Sequence, residues 1–180
     1  MKKSFLVMFM VGVLAFAAAP KANAIENPFR EGTFLLNVQM GFVPGVGLNV
    51  SGDYVLENGW WKGHFTVGGY AGFKVRDCTD IIKQGEYIES FDYINTNFAF
   101  MPRATYGLNI TDDFEVHAGV MTGFAVKSYN TNLKNTEVVF CGGPFVGCKF
   151  FFTEGVGLTA EMAYCNDLAP LLNAGLTFKF

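Results

Sequence analysis

Residues Asn173 to Phe180 read "NAGLTFKF", with apolar Ala174, Leu176, Phe178 and Phe180 alternating with Asn173, Gly175, Thr177 and Lys179. Period two is the mark of a strand with one apolar face. A strand that ends a chain normally lies on a sheet edge, where its unpaired amides and carbonyls invite aggregation. So regular a strand at 173–180 is expected to have a neighbour on each side, and closing the sheet on itself supplies both.

The same alternation recurs along the chain. Phe34, Leu36, Val38, Met40 and Phe42 oppose Leu35, Asn37, Gln39 and Gly41; Leu48, Val50, Tyr54 and Leu56 oppose Asn49, Ser51 and Asp53. Trp61, Phe65, Val67 and Phe73 oppose Lys62, His64, Thr66, Tyr70 and Lys74. Phe98, Phe100, Pro102 and Ala104 oppose Asn97, Met101, Arg103 and Thr105, while Val116, Ala118, Val120 and Phe124 oppose Glu115, His117 and Met121. Two further segments, 138–152 and 156–165, set Val146, Cys148, Phe150 and Leu158 against Cys141, Phe145, Lys149, Thr159, Glu161 and Cys165. With 173–180 the count is eight strands. "ENG" (57–59), "TDD" (111–113) and "TEG" (153–155) carry the residues tight turns require. The links at 43–46, 77–92, 130–137 and 166–169 read as looser or longer, with a further turn available at Gln84-Gly85.

Residues 1–24 begin with Lys2 and Lys3, run apolar from Phe5 to Ala19 and finish Ala22-Asn23-Ala24. That is the order of a cleaved secretory signal peptide, and the apolar run is short for a membrane helix. The barrel domain is then 25–180. Setting aside Lys2, Lys3 and Lys21 leaves ten basic against sixteen acidic side chains, a net charge near −6. So acidic a chain gives no reason to expect nucleic acid as a partner. Cys78, Cys141, Cys148 and Cys165 follow neither a zinc pattern nor the dense framework of a small disulfide scaffold.

One face of the strands carries nearly all the charge: Asp53, Lys62, His64, Lys74, Arg76, Arg103, Glu115, His117, Lys127, Lys149 and Glu161. The other is almost free of it and rich in aromatics. Eight strands enclose an interior just wide enough for side chains, so the charged face is expected inside and the apolar face against lipid. At this point the chain resembles the small eight-stranded outer-membrane β-barrels of OmpA/OmpX type. Its "NFAFMPRATYGL…FEVHAGVMTGF" stretch (97–108 and 114–124) and its final "LTFKF" look like the porin-family barrel proteins of Bacteroidota. The resemblance implies an all-β, up-and-down transmembrane barrel, localisation in the outer membrane, and recognition of the C-terminal strand by the outer-membrane assembly machinery.

Three functions compete on such a fold: a non-enzymatic barrel serving envelope structure or surface contact, a narrow pore or small-solute transporter, and a membrane-embedded hydrolase or acyltransferase. Catalysis would need a nucleophile beside a base. The serines after residue 24 are Ser51, Ser90 and Ser128, and no spacing places Ser51 beside His64 or His117. No catalytic residue is assigned. His64, His117 and Glu115 share a depth and can be read as a metal site, but hydrogen-bonded filling of a polar interior is the plainer reading. No metal or cofactor is assigned. The lumenal charges likewise read as an ion path or a paired core, and the narrow interior favours the core. Cys141 and Cys165 point inward near the outer ends of neighbouring strands, staggered by about three residues, roughly 10 Å. That is too far for a bond without a bulge, so free thiols are expected, with Cys78 at the mouth of its strand. The expected partners are outer-membrane lipid and the assembly machinery; the protein is expected to be a monomer, and the sequence names no ligand for the loops.

Overall fold

The computed structural model describes residues 29–58, 63–84, 87–131, 135–165 and 169–180. The strands are β1 (Phe34–Phe42), β2 (Val46–Asn58), β3 (Gly63–Gln84), β4 (Tyr87–Asn109), β5 (Phe114–Tyr129), β6 (Glu137–Phe151), β7 (Val156–Ala163) and β8 (Leu172–Lys179). Each pairs antiparallel with the next and β8 pairs with β1, so the sheet closes. At the seam Leu36 faces Phe178, Val38 faces Leu176 and Met40 faces Ala174. Phe34 and Phe180 exchange both backbone hydrogen bonds, at 3.1 and 2.9 Å. The alternation of 173–180 therefore has a partner on each side, as closure requires.

The end where β1 begins and β8 finishes is the base; the opposite end is the rim. Two base turns are built alike. Phe114 N donates to Thr111 Oγ1 at 3.1 Å and Val156 N donates to Thr153 Oγ1 at 2.9 Å. In each, a threonine hydroxyl takes up an amide that the ladder leaves free. At the rim, the link at 43–46 is tighter than its sequence suggests, three residues from Val43 to Gly45. Gly45 has φ +90°, and a Cβ there would stand 2.3 Å from the Val75 carbonyl oxygen, so only glycine fits. The 77–92 link is mostly strand. β3 and β4 stay paired out to Gln84↔Tyr87, beyond the last rung with β2 at Val75 and with β5 at Asn95. This is the extended hairpin that a Gln84-Gly85 turn predicts. The signal peptide at 1–24, Gly59 of the 57–59 turn, Trp61, Lys62 and Gly85 lie outside the described residues.

Outward parity is as the alternation implies. Val120, Phe124, Val146 and Phe140 are each more than half exposed, while inward Asn37, Asp53, His64, Arg103, Glu115 and Lys149 are buried. On β5 the outward apolar set spans ten residue steps from Val116 to Val126. At strand rise that is about 34 Å, or about 26 Å along the axis of a barrel tilted near 40°, close to the height of a lipid-facing band.

Candidate functional site: the filled lumen

The lumen is filled in three layers. At the base, Phe29 enters from the segment before β1, stacks on His64 (centroids 5.0 Å apart) and meets Phe151 edge-on (5.5 Å). Leu35 and Val55 complete this apolar floor. Gly32 N donates to the Val55 carbonyl at 2.9 Å, which ties the entering segment to β2.

Above the floor lies the charged layer, with Arg103 at its centre. Nη2 and Nη1 grip Glu161 Oε1 and Oε2 at 2.8 and 3.2 Å, the paired geometry a guanidinium offers a carboxylate. Nε lies 2.9 Å from Asp53 Oδ1, and Nη1 also donates to Ser51 Oγ at 3.3 Å. The guanidinium carbon stands 4.3 Å over the Phe145 ring. One side chain from β4 thus joins β2, β6 and β7. Asn37 on β1 donates to Asp53 Oδ2 and Ser51 Oγ, both at 3.0 Å.

Glu115 is the second hub. Its Oε2 lies 2.9 Å from His64 Nε2, and its Oε1 lies 2.8 Å from His117 Nδ1 and 3.5 Å from Lys149 Nζ. His117 Nε2 meets Glu161 Oε1 at 3.2 Å, linking the hubs. Both ring nitrogens of His117 therefore face carboxylate oxygens, Nδ1 toward Glu115 and Nε2 toward Glu161. Arg103 and Lys149 stand among Asp53, Glu115 and Glu161, with the two histidines beside the carboxylates. A mutually paired set is the form in which buried charge is tolerable.

Toward the rim an apolar cluster forms, in which Tyr70, Met101, Met121, Cys141, Phe145 and Cys165 pack with four alanines; Asn49 donates to Asn173 at 2.8 Å beside it, and Lys74 and Asn97 are buried at the same end. Here the structure corrects the sequence. Met121, expected among polar lumenal neighbours, lies in this apolar cluster. Cys141 and Cys165, expected far apart, both touch Met101 Sδ, at 3.6 and 3.5 Å. The reason is local: β6 and β7 pair last at Phe145↔Ala163, after which Cys165 turns inward across a narrow lumen. All four cysteines are free thiols.

The structure thus brings together His64, His117 and Glu115, which counting from the base turns places at similar depth, and ties them to one another. It leaves Ser51 on Arg103 and Asn37, while Ser90 and Ser128 are exposed outside. No serine hydroxyl reaches either histidine among the described contacts. Sequence reasoning missed Phe29 and the role of Met101. A signal for the first was present: Leu35, Val55 and Phe151 are large apolar residues on the inward face near the base, and they require something apolar to cover them.

An all-β ring of eight antiparallel strands with an apolar exterior and charges inside defines a class of protein, and solved structures similar to it include small outer-membrane barrels. The chain is similar to the N-terminal β-barrel domain of Pseudomonas aeruginosa OprF, with 14% identity, 83% of this chain and 98% of that one covered, and a TM-score of 0.50. It is also similar to Ail of Yersinia pestis in a phospholipid nanodisc (13% identity, 83% and 100% covered, TM-score 0.47). A further likeness is to Ail in complex with the heparin analogue sucrose octasulfate (12%, 83% and 95%, TM-score 0.45). No family model and no curated protein matches the sequence. The fold is that of the small eight-stranded outer-membrane β-barrels.

Proposed function

We propose that the protein is a non-enzymatic integral barrel of the outer membrane, plugged along its axis, that serves envelope structure or surface contact through its rim. The observation that carries this reading is the inversion of the usual protein pattern. Val120, Phe124, Phe140 and Val138 are exposed outside, while Asp53, Arg103, Glu115, Lys149 and Glu161 are buried inside. Water as the outer solvent would favour the opposite arrangement. The apolar floor, the paired charged layer and the packed upper cluster together support a plug rather than a pore. On this reading the partners are lipid around the wall and the assembly machinery at β8, and the protein acts as a monomer.

Two measurements test it together. Fractionation of cells followed by electrophoresis without boiling should place the protein in the outer membrane with heat-modifiable migration. The refolded protein in a planar bilayer should conduct no steady current. Recovery as a soluble monomer without detergent overturns the membrane assignment, and a steady ohmic conductance overturns the plug in favour of a narrow pore.

A further inference from the structure

The upper layer of the lumen holds a feature that neither a plug nor a wall requires. Cys141 on β6, Cys165 just past β7 and Met101 on β4 are remote in sequence, yet both thiols contact the one thioether sulfur, at 3.6 and 3.5 Å. The Cys165 thiol also interacts with Cys141. All three residues are buried. They belong to one buried cluster that also holds Ala99, Ala125, Ala163 and Ala169 beside Tyr70, Met121 and Phe145.

From this convergence we propose that Met101, Cys141 and Cys165 form a three-sulfur site for a soft monovalent cation, Cu(I). The donor set selects the metal. Two thiolates and a thioether suit Cu(I), whereas Zn²⁺ asks for four ligands from thiolate, imidazole or carboxylate. Two edges of the sulfur triangle are nearly in place. Three sulfurs about 2.3 Å from a common centre stand about 4 Å apart in a plane. Opening the contacts of Met101 with Cys141 and Cys165 from 3.6 and 3.5 Å to that spacing moves each sulfur by only a few tenths of an ångström. Binding releases the two thiol protons to solvent and leaves a Cu(I)–dithiolate of charge −1. Lys74, buried on β3, is a cation whose field reaches Cys165. No electron is transferred. Cys78 and Cys148 lie outside this cluster and take no part.

The test uses the protein refolded in detergent under reductant and without oxygen, titrated with Cu(I) held on a competing chromogenic chelator. Unboiled gel migration confirms that each variant has folded. The wild type, and equally Cys78→Ser/Cys148→Ser, should take up one copper per chain. X-ray absorption of the loaded protein should show three sulfur neighbours at about 2.3 Å. Cys141→Ser/Cys165→Ser should abolish uptake. Met101→Leu conserves volume and keeps the fold, and should weaken binding about tenfold or more; it decides the matter if the double serine variant does not fold. The proposal is overturned if folded wild type takes up no copper, or if Met101→Leu binds as tightly as wild type. Loss of the uptake in Cys78→Ser/Cys148→Ser also overturns it, as does a Cys141–Cys165 disulfide in protein isolated from cells without reductant.

Discussion

Replacing Arg103 by Met should be among the most damaging single changes in the lumen, and the structure sets its size. The guanidinium holds both oxygens of Glu161 and one of Asp53, at 2.8, 3.2 and 2.9 Å, and none of the three side chains is appreciably exposed. Methionine keeps most of the stem's packing but leaves Glu161 with His117 alone. Asp53 keeps Asn37 and a Lys149 ammonium 3.9 Å away. Breaking a buried pair by removing one partner costs about 3–5 kcal/mol, chiefly because the other charge stays buried without compensation. Removing both charges should cost less. In Arg103→Met/Glu161→Met the balance of the layer is preserved, and replacement of a buried pair by apolar residues is often neutral. We expect the double variant to recover about 2 kcal/mol or more of the single variant's loss. The assay is urea titration of protein refolded in micelles, followed by the shift in gel mobility, for wild type, both singles and the double. A loss below about 1 kcal/mol for Arg103→Met, the value of an exposed ion pair, would show that the layer is wet and refute the reasoning. So would a double variant less stable than the single.

Val120 faces outward at mid-strand and is 62% exposed; Val120→Arg should cost about 2–4 kcal/mol on refolding into vesicles, with Val120→Leu near neutral. Adjacent glycines on β3 should respond oppositely. A Cβ at Gly68 would meet the Gly52 carbonyl oxygen at 1.9 Å, while one at Gly69 meets nothing within 4 Å. Gly68→Ala should therefore lose about 1–3 kcal/mol in urea titration, and Gly69→Ala should be unchanged or gain up to about 1 kcal/mol. Phe29→Ala removes the buried ring between His64 and Phe151 and should cost about 3 kcal/mol in the same titration.

The wall was legible in the sequence because a strand's period is two and every outward position faces the same solvent. Parity alone assigns Val120 outward and Glu115 inward, and a single slip of register would have reversed both. Closure was legible from the alternation of 173–180. The length of the 43–45 turn was not, because it depends on Gly45 at positive φ beside Val75, a contact between the turn and β3 that local composition does not encode.

The lumen was legible only in part, because parity says which side a residue faces and not which layer it joins. Depth can be counted from the base turns. Starting at Thr111 and Thr153, Glu115 and Lys149 fall at the same height, and they are indeed directly paired across β5 and β6. His117 lies one inward step further and belongs to the same layer. The count fails across the lumen. Arg103 on β4 reaches Glu161 on β7, 58 residues away, and Asp53 on β2. Those strands share no rung, so their relative heights are set by the stagger accumulated around the whole ring. The contact of Cys165 with Met101 has a different, local origin, the turn of the chain after the last rung of β6 and β7 at Phe145↔Ala163. The paired charged layer is a property of the closed barrel and of no segment within it. This is also why a change at one member, such as Arg103, is expected to be felt at Asp53 and Glu161 together.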